Sequence, residues 1–141
     1  IAGIGPEEEK VRGIANSKTN VHYLGYQSKQ NTISLIRGSD LLIQPSLMEG
    51  TSSTLLEAMG CETCIIASNV GGNTEIIENN KTGVLIETNN AEKLLDKISD
   101  LLTEKEKRIM MTVAALKAVV KYDWKQVGKL YLDIYEDLLH Q

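Results

Sequence analysis

Short apolar runs alternate with helix-periodic segments along the first two-thirds of this chain, and that alternation leaves it few architectures. Leu41-Leu42-Ile43 and Cys64-Ile65-Ile66-Ala67 are uninterrupted apolar stretches of strand length, the pattern of strands covered on both faces. Ile1 to Ile4, Val21 to Leu24 and Gly83 to Ile86 read as three further strands, bounded by glycine or polar punctuation. Between them lie helices. Pro6 fits the first turn of one that carries Val11, Ile14 and Ala15, and Ser28 can cap another with Ile33 and Ile36 on its apolar face. Thr54 to Met59 is a third, closed by Gly60. Strands that alternate with helices pair in parallel through right-handed crossovers, so the pattern predicts a three-layer αβα domain of the α/β class. After Ile86 the period becomes purely helical. Leu94, Leu95, Ile98, Leu101 and Leu102 follow an Asn90 cap. Ile109, Val113, Leu116 and Val120 form one stripe, and a last helix from Asp123 carries Val127, Leu130, Tyr131, Ile134 and Leu138.

Composition narrows the function classes. A chain of 141 residues is expected to be one domain, residues 1–141. The net charge of -4, an isoelectric point near 5.2, 4% aromatic content and no Phe argue against a nucleic-acid binder, which needs basic surface and stacking platforms. Every apolar run falls far short of the roughly 20 residues that cross a bilayer. The chain opens at Ile1 without Met or a leader, so it is expected to be a piece of a longer polypeptide, cut on its amino-terminal side. Cys61 and Cys64 are the only cysteines, and a structural zinc site needs more ligands than they and the distant His22 and His140 supply. Cys64 is therefore expected to be a buried strand residue and Cys61 a loop residue, in a reducing cytoplasm.

In open parallel sheets ligands bind beyond the carboxyl ends of the strands, which makes the loops there the candidate sites. Gly3-Ile4-Gly5-Pro6 lacks the third glycine of a dinucleotide fingerprint, since that place holds Glu8. Pro45-Ser46-Leu47-Met48-Glu49-Gly50-Thr51-Ser52-Ser53-Thr54 is more informative. Small and hydroxylated residues at Gly50, Thr51, Ser52, Ser53 and Thr54 let backbone N–H groups approach a ligand, and the helix that follows adds positive partial charge suited to phosphate. Glu49 and Glu57, being acceptor-only when ionised, suit sugar hydroxyls if both face one crevice. The alternative is that Glu57 is an ordinary solvated helix residue and Ser53 merely an N-cap. A third loop, Asn69-Val70-Gly71-Gly72-Asn73-Thr74-Glu75, also sets glycines ahead of a carboxylate, or is simply a glycine turn before a short helix.

The ordered string Pro45-Ser46, Glu49-Gly50, Leu56-Glu57-Ala58-Met59, Ile65-Ile66-Ala67-Ser68, Gly71-Gly72 with Glu75, and Gly83 resembles the donor-binding half of a family 4 glycosyltransferase of the two-Rossmann-domain (GT-B) kind. Its carrier is the pair Glu49 and Glu57 at E-x7-E spacing. The likeness extends to the Gly3–Pro6 turn, to Tyr23-Leu24-Gly25, and to Asp123-Trp124 with Tyr131 and Tyr135, nearly the whole chain. It implies a Rossmann-like fold and a retaining transferase that takes a sugar from a nucleoside diphosphate without a bound metal or other cofactor. The sequence has no D-x-D, in keeping with that.

By the same resemblance, Glu49 is the catalytic-site carboxylate that holds a hydroxyl of the donor sugar, and Glu57 accepts from the ribose hydroxyls. The N–H groups of Thr51 and Ser52 face the sugar and those of Ser53 and Thr54 the diphosphate, while Gly25-Tyr26 lies by the base. The acceptor is expected to be a polysaccharide or glycolipid, bound by an amino-terminal domain, with the enzyme cytoplasmic and peripheral at the inner membrane surface. The piece alone is expected to be inactive and prone to self-association. Two departures stand out: Glu62 and Cys64 replace a usual glycine and proline, and Thr51-Ser52 replaces a frequent Phe-Gly, which bears on the sugar accepted. Other readings of the same fold are a non-catalytic nucleotide-binding or interaction domain and a nucleotide-sugar epimerase-like domain.

Overall fold

A computed structural model describes residues 1–140, and their packing divides the chain into two compact units, Ile1–Leu35 and the remainder from Ile36. The larger unit is an α/β sandwich around a parallel sheet of three strands, β1 (Leu41–Gln44), β2 (Cys64–Ser68) and β3 (Val84–Ile86), in the order β1-β2-β3. Leu41 sits opposite Cys64, and Ile66 opposite Val84. Parallel neighbours need a crossover, and the helices α3 (Ser53–Gly60) and α4 (Asn73–Ile76) supply it in turn. The chain continues through α5 (Ala91–Thr103), α6 (Lys105–Val119), a 3-10 turn at Val120–Tyr122 and α7 (Trp124–Leu139).

β2 explains why the interior has two sides. All five of its residues are buried, and successive side chains point to opposite faces. Ile65 and Ala67 join Leu55, Ala58 and Met59 of α3, with Ile36, Ile76 and Ile77. Cys64 and Ile66 instead join Val84, Ile86, Leu101 and Met111. Burying each large side chain stabilises the fold by about 1.5–3 kcal/mol relative to exposure, so this double-sided strand is the spine of the unit.

Several sequence-based expectations hold in this unit. Asn90 caps α5, its Oδ1 accepting the Lys93 N–H at 2.9 Å, and Asp123 opens α7, accepting the Lys125 N–H at 2.8 Å. A feature without a sequence signal is Arg108 on α6, whose guanidinium donates to the carbonyls of Leu101 and Leu102 and so satisfies the carboxyl end of α5. It also reaches Asp40, 3.6 Å away.

Three expectations are corrected. The stripe Ile109, Val113, Leu116 and Val120 is exposed, and α6 instead buries Met111 and Ala115. This helix is apolar on several sides, so periodicity does not single out one face. Ala115 joins Leu55 and Met59 of α3 in one buried cluster. On α7 the stripe residues Leu130, Tyr131, Ile134 and Leu138 are likewise exposed, Val127 is half-buried, and no residue of that helix is buried.

The third correction concerns strand number, three among the described residues rather than five. In the smaller unit the segments at Ile1 and Val21 form a single parallel bridge, Ala2 to Gly25, rather than a ladder. Gly3 N–H donates to Gly25 O, and Leu24 N–H to Ile1 O, each at 2.8 Å. Ile1 through Ile4 are all exposed, so the apolar burial that would extend a ladder is missing. The helices here are α1 (Glu8–Ser17) and α2 (Lys29–Arg37), the latter capped by Ser28 Oγ, which accepts the Asn31 N–H at 3.3 Å. Arg12 on α1 ties the unit together: it pairs with Glu8 at 2.7 Å and lies 4.7 Å above the ring of Tyr23, whose hydroxyl donates to Gly3 O.

Candidate functional site

The three strands end together at Gln44, Ser68 and Ile86, and the loops beyond them form one edge. The loop after β1 is held by the loop after β2. Gly72 N–H donates to Glu49 O at 3.1 Å, and the two backbones approach so closely that side chains are impossible there. A Cβ on Gly71 would fall on the carbonyl oxygen of Glu49, and one on Gly72 on that of Gly50. Gly71 also has φ +39°, a conformation that side chains disfavour. The paired glycines therefore seat the acidic loop. The sequence suggests that they expose their own backbone to a ligand; their structural work is to admit Glu49 and Gly50.

Below that contact Asn73 is completely buried. Its Nδ2 donates to Ser68 O at 3.0 Å, while its Oδ1 has no partner among the described residues.

The start of α3 is set by Ser52, not by Ser53. Ser52 is buried and extended, its Oγ accepts the Leu55 N–H at 3.4 Å, and its carbonyl accepts the Leu56 N–H. That leaves the N–H groups of Ser53 and Thr54 as first-turn donors that the helix cannot satisfy from within. Ser53 is exposed and Thr54 half-buried. Glu57 follows one turn on and is half-buried, its carbonyl accepting the Cys61 N–H that closes the helix.

Gln44, which no sequence motif marks, joins the loop to the helix. Its Nε2 lies 3.0 Å from Glu49 Oε2 and 2.9 Å from Ser52 Oγ, and Ser52 Oγ lies 3.1 Å from Gln44 Oε1. A half-buried amide at a strand end, eight residues before a helix cap, is the available clue. Thr51 and Gly50 are exposed on the same loop. Gly25 and Tyr26 belong to the smaller unit, with Gly25 in the bridge to Ala2 and Tyr26 exposed. A cavity of about 360 Å3 opens at the same sheet edge, lined by Pro45, Ser68, Ile86, Thr88, Asn90 and Leu94 rather than by Glu49 or Glu57.

The cysteines behave as structural residues. Both are free, Cys64 is buried in β2, and its burial raises the thiol above its ordinary range despite the opposing influence of Arg108 and Lys107. Cys61 is half-buried at the carboxyl end of α3.

A parallel sheet clothed by helices, with an acidic loop and a helix amino terminus gathered beyond its carboxyl edge, defines this chain as the carboxyl-terminal half of a GT-B fold. The family model for glycosyl transferases group 1 matches residues 1–118, and the chain belongs to that family. It is 33% identical, over 119 residues, to the N,N'-diacetylbacillosaminyl-diphospho-undecaprenol alpha-1,3-N-acetylgalactosaminyltransferase of Campylobacter jejuni, a match covering 84% of this chain and 31% of the relative. The solved glycosyltransferase of Rickettsia africae is 27% identical, with a TM-score of 0.83 over 94% of this chain and 36% of that one. Anabaena HepE, solved in complex with UDP-glucose, shares the fold at 20% identity, with a TM-score of 0.77 over 99% of this chain and 40% of that one. The chain spans about a third of the length of the curated relatives it matches. No helix among the described residues is long and apolar enough to cross a membrane.

Proposed function

We propose that this chain is the donor-binding half of a retaining glycosyltransferase, which takes a sugar from a nucleoside diphosphate and passes it to a polysaccharide or glycolipid acceptor. The observation that carries the reading is the glycine-seated loop: the close approach of Gly71-Gly72 to Glu49-Gly50 fixes a carboxylate beside the amino terminus of α3. Glu49 holds a hydroxyl of the donor sugar. The N–H groups of Thr51 and Ser52 face that sugar, and those of Ser53 and Thr54 take the diphosphate, where the helix end offsets charge that grows as the anomeric C–O bond breaks. Glu57 accepts from the ribose hydroxyls. Charge is met by fixed N–H donors, and the reading calls for no bound metal. The complete enzyme works in the cytoplasm, where a companion domain presents the acceptor at the inner membrane surface, and the isolated chain does not turn over.

The test is kinetic, on the polypeptide that includes the acceptor-binding domain. A charge-assisted hydrogen bond is worth about 1.5–3 kcal/mol, so Glu57→Gln should weaken donor use by roughly ten- to a hundredfold, and Glu57→Ala by more. Donor KM and kcat unchanged in both variants would remove Glu57 from the ribose role.

A further inference from the structure

We infer that Gln44 is a positioning residue for Glu49, a single amide that ties the sugar-holding carboxylate to the N-cap of α3. The inference rests on the donor-site reading above and deepens it.

Gln44 is well placed to act as a fixed point. It is the last residue of β1, held in register opposite Ala67, which is completely buried. Its Nε2 reaches Glu49 Oε2 at 3.0 Å and Ser52 Oγ at 2.9 Å. The orientation of that amide follows from chemistry: an ionised carboxylate only accepts, so the nitrogen end, not the oxygen end, faces Glu49. Ser52 Oγ then lies between the two ends of the amide, 2.9 Å from one and 3.1 Å from the other, and is satisfied whether it accepts or donates. Ser52 is buried and also accepts the Leu55 N–H, so it cannot turn away without orphaning the first turn of α3.

Two consequences follow for Glu49. Its Oε2 is engaged, and its Oε1 has no hydrogen-bond partner among the described residues, which makes Oε1 the oxygen offered to a sugar hydroxyl. A glutamate has three rotatable side-chain bonds, and a charge-assisted bond to a strand-anchored amide restricts them before any ligand arrives, so that the ordering cost is already met. The same amide meets Ser52 Oγ at the start of α3, but the first-turn N–H donors there are backbone groups held by the helix, so Gln44 positions the sugar contact and leaves the diphosphate contact to the backbone. Gln44 touches neither part of the donor and acts only through Glu49 and Ser52.

The test uses the chain with Gln44→Met, which keeps an unbranched side chain of similar length without the donor, together with Glu49→Ala, Ser52→Ala and the Gln44→Met/Glu49→Ala pair. UDP-glucose and UDP serve as probes in calorimetry, and the Gln44 side-chain amide is followed by nitrogen–proton NMR without ligand. The amide signal should move in Glu49→Ala and in Ser52→Ala. Gln44→Met should reduce the preference for UDP-glucose over UDP by about tenfold, the lower end of what a lost charged-group hydrogen bond costs, while UDP affinity stays at the parent value. In the Glu49→Ala background it should have no further effect. An amide signal indifferent to Glu49→Ala overturns the inference, as does an equal loss of UDP and UDP-glucose binding, or an effect of Gln44→Met that persists undiminished without Glu49. If the parent chain binds neither nucleotide, the donor-site reading fails for uridine donors, while a Gln44 signal that still moves in Glu49→Ala upholds the tie between the two side chains.

Discussion

α3 and α7 begin alike and finish in opposite surroundings. Each is amphipathic, and each opens on a side-chain cap, Ser52 for the first and Asp123 for the second. α3 then buries Leu55, Ala58 and Met59 completely, whereas α7 buries nothing, and Trp124 at its start is 86% exposed. An apolar stripe records that a face can be covered; it does not name the cover. For α3 the cover follows from topology, because a helix between two paired parallel strands is laid back onto their sheet. α7 leads into no further strand among the described residues, and none of them folds over it.

The contrast can be broken most directly by truncating matched residues. Leu55→Ala or Met59→Ala should each cost about 2–5 kcal/mol, since both lie in a closely packed interior that cannot collapse around the gap. Leu130→Ala and Ile134→Ala, on the exposed stripe of α7, should stay within about 0.5 kcal/mol. Urea unfolding of the four variants decides, and equal losses in the two helices would erase the distinction.

A second, somewhat smaller effect belongs to the seat of the acidic loop. In Gly72→Ala the new methyl group meets the carbonyl of Gly50, and the loop must shift to admit it. Overpacking of this kind costs about 1–3 kcal/mol. Hydrogen exchange should also show the Gly72 amide, now bonded to Glu49 O, losing protection. An unchanged exchange rate would mean that the two loops are not held together as described.

The same division separates what is legible in the sequence from what is not. The runs at Leu41 and Cys64, the caps at Ser28 and Asn90, and the helices at Thr54–Met59 and from Asp123 are local signals that match the structure. The string from Pro45 to Gly83 also places the chain in its family. Local pattern fails where it is silent about partners. Ile1 to Ile4 is apolar enough for a strand, yet all four residues stay exposed. α6 offers several apolar sides, and only the neighbouring α3 decides for Ala115. No motif marks Gln44, because its role depends on a carboxylate and a cap brought to it by a turn. Gly71-Gly72 reads in sequence as a ligand-facing turn, since sequence does not show which backbone will press against which.

If the stripe of α7 has no cover within the chain, it should find one in solution. Leu130, Tyr131, Ile134 and Leu138 recur at helical spacing on one exposed face, and an exposed apolar band of that length favours association. We expect sedimentation velocity to show a concentration-dependent oligomer, and Leu130→Lys with Ile134→Lys to return the chain to a monomer with an unchanged melting midpoint. A parent chain that stays monomeric at high concentration would count against this.

The smallest expected effect contrasts the two cysteines that flank the turn from α3 into β2. Cys64 lies in the strand and Cys61 at the helix end, and both are free. Burial raises the Cys64 thiol, while the nearby positive charges of Arg108 and Lys107 only partly oppose it. Below the ordinary thiol range of about pH 8.5 the group is protonated in the folded and the unfolded chain alike, so its contribution to stability is fully present there. Above that range the unfolded chain ionises while the folded one resists, and stability falls until the folded thiol itself titrates. Cys64→Ala should therefore flatten the decline of unfolding free energy as pH rises above about 8.5, whatever it costs in packing at neutral pH. In the native parent at about pH 8, a thiol reagent should modify Cys61 first, and Cys64 only as the chain opens, because the thiolate is the reactive species and burial withholds it. Two thiols that react at one rate, together with an unchanged slope in Cys64→Ala, would show that β2 is less closed than its burial implies.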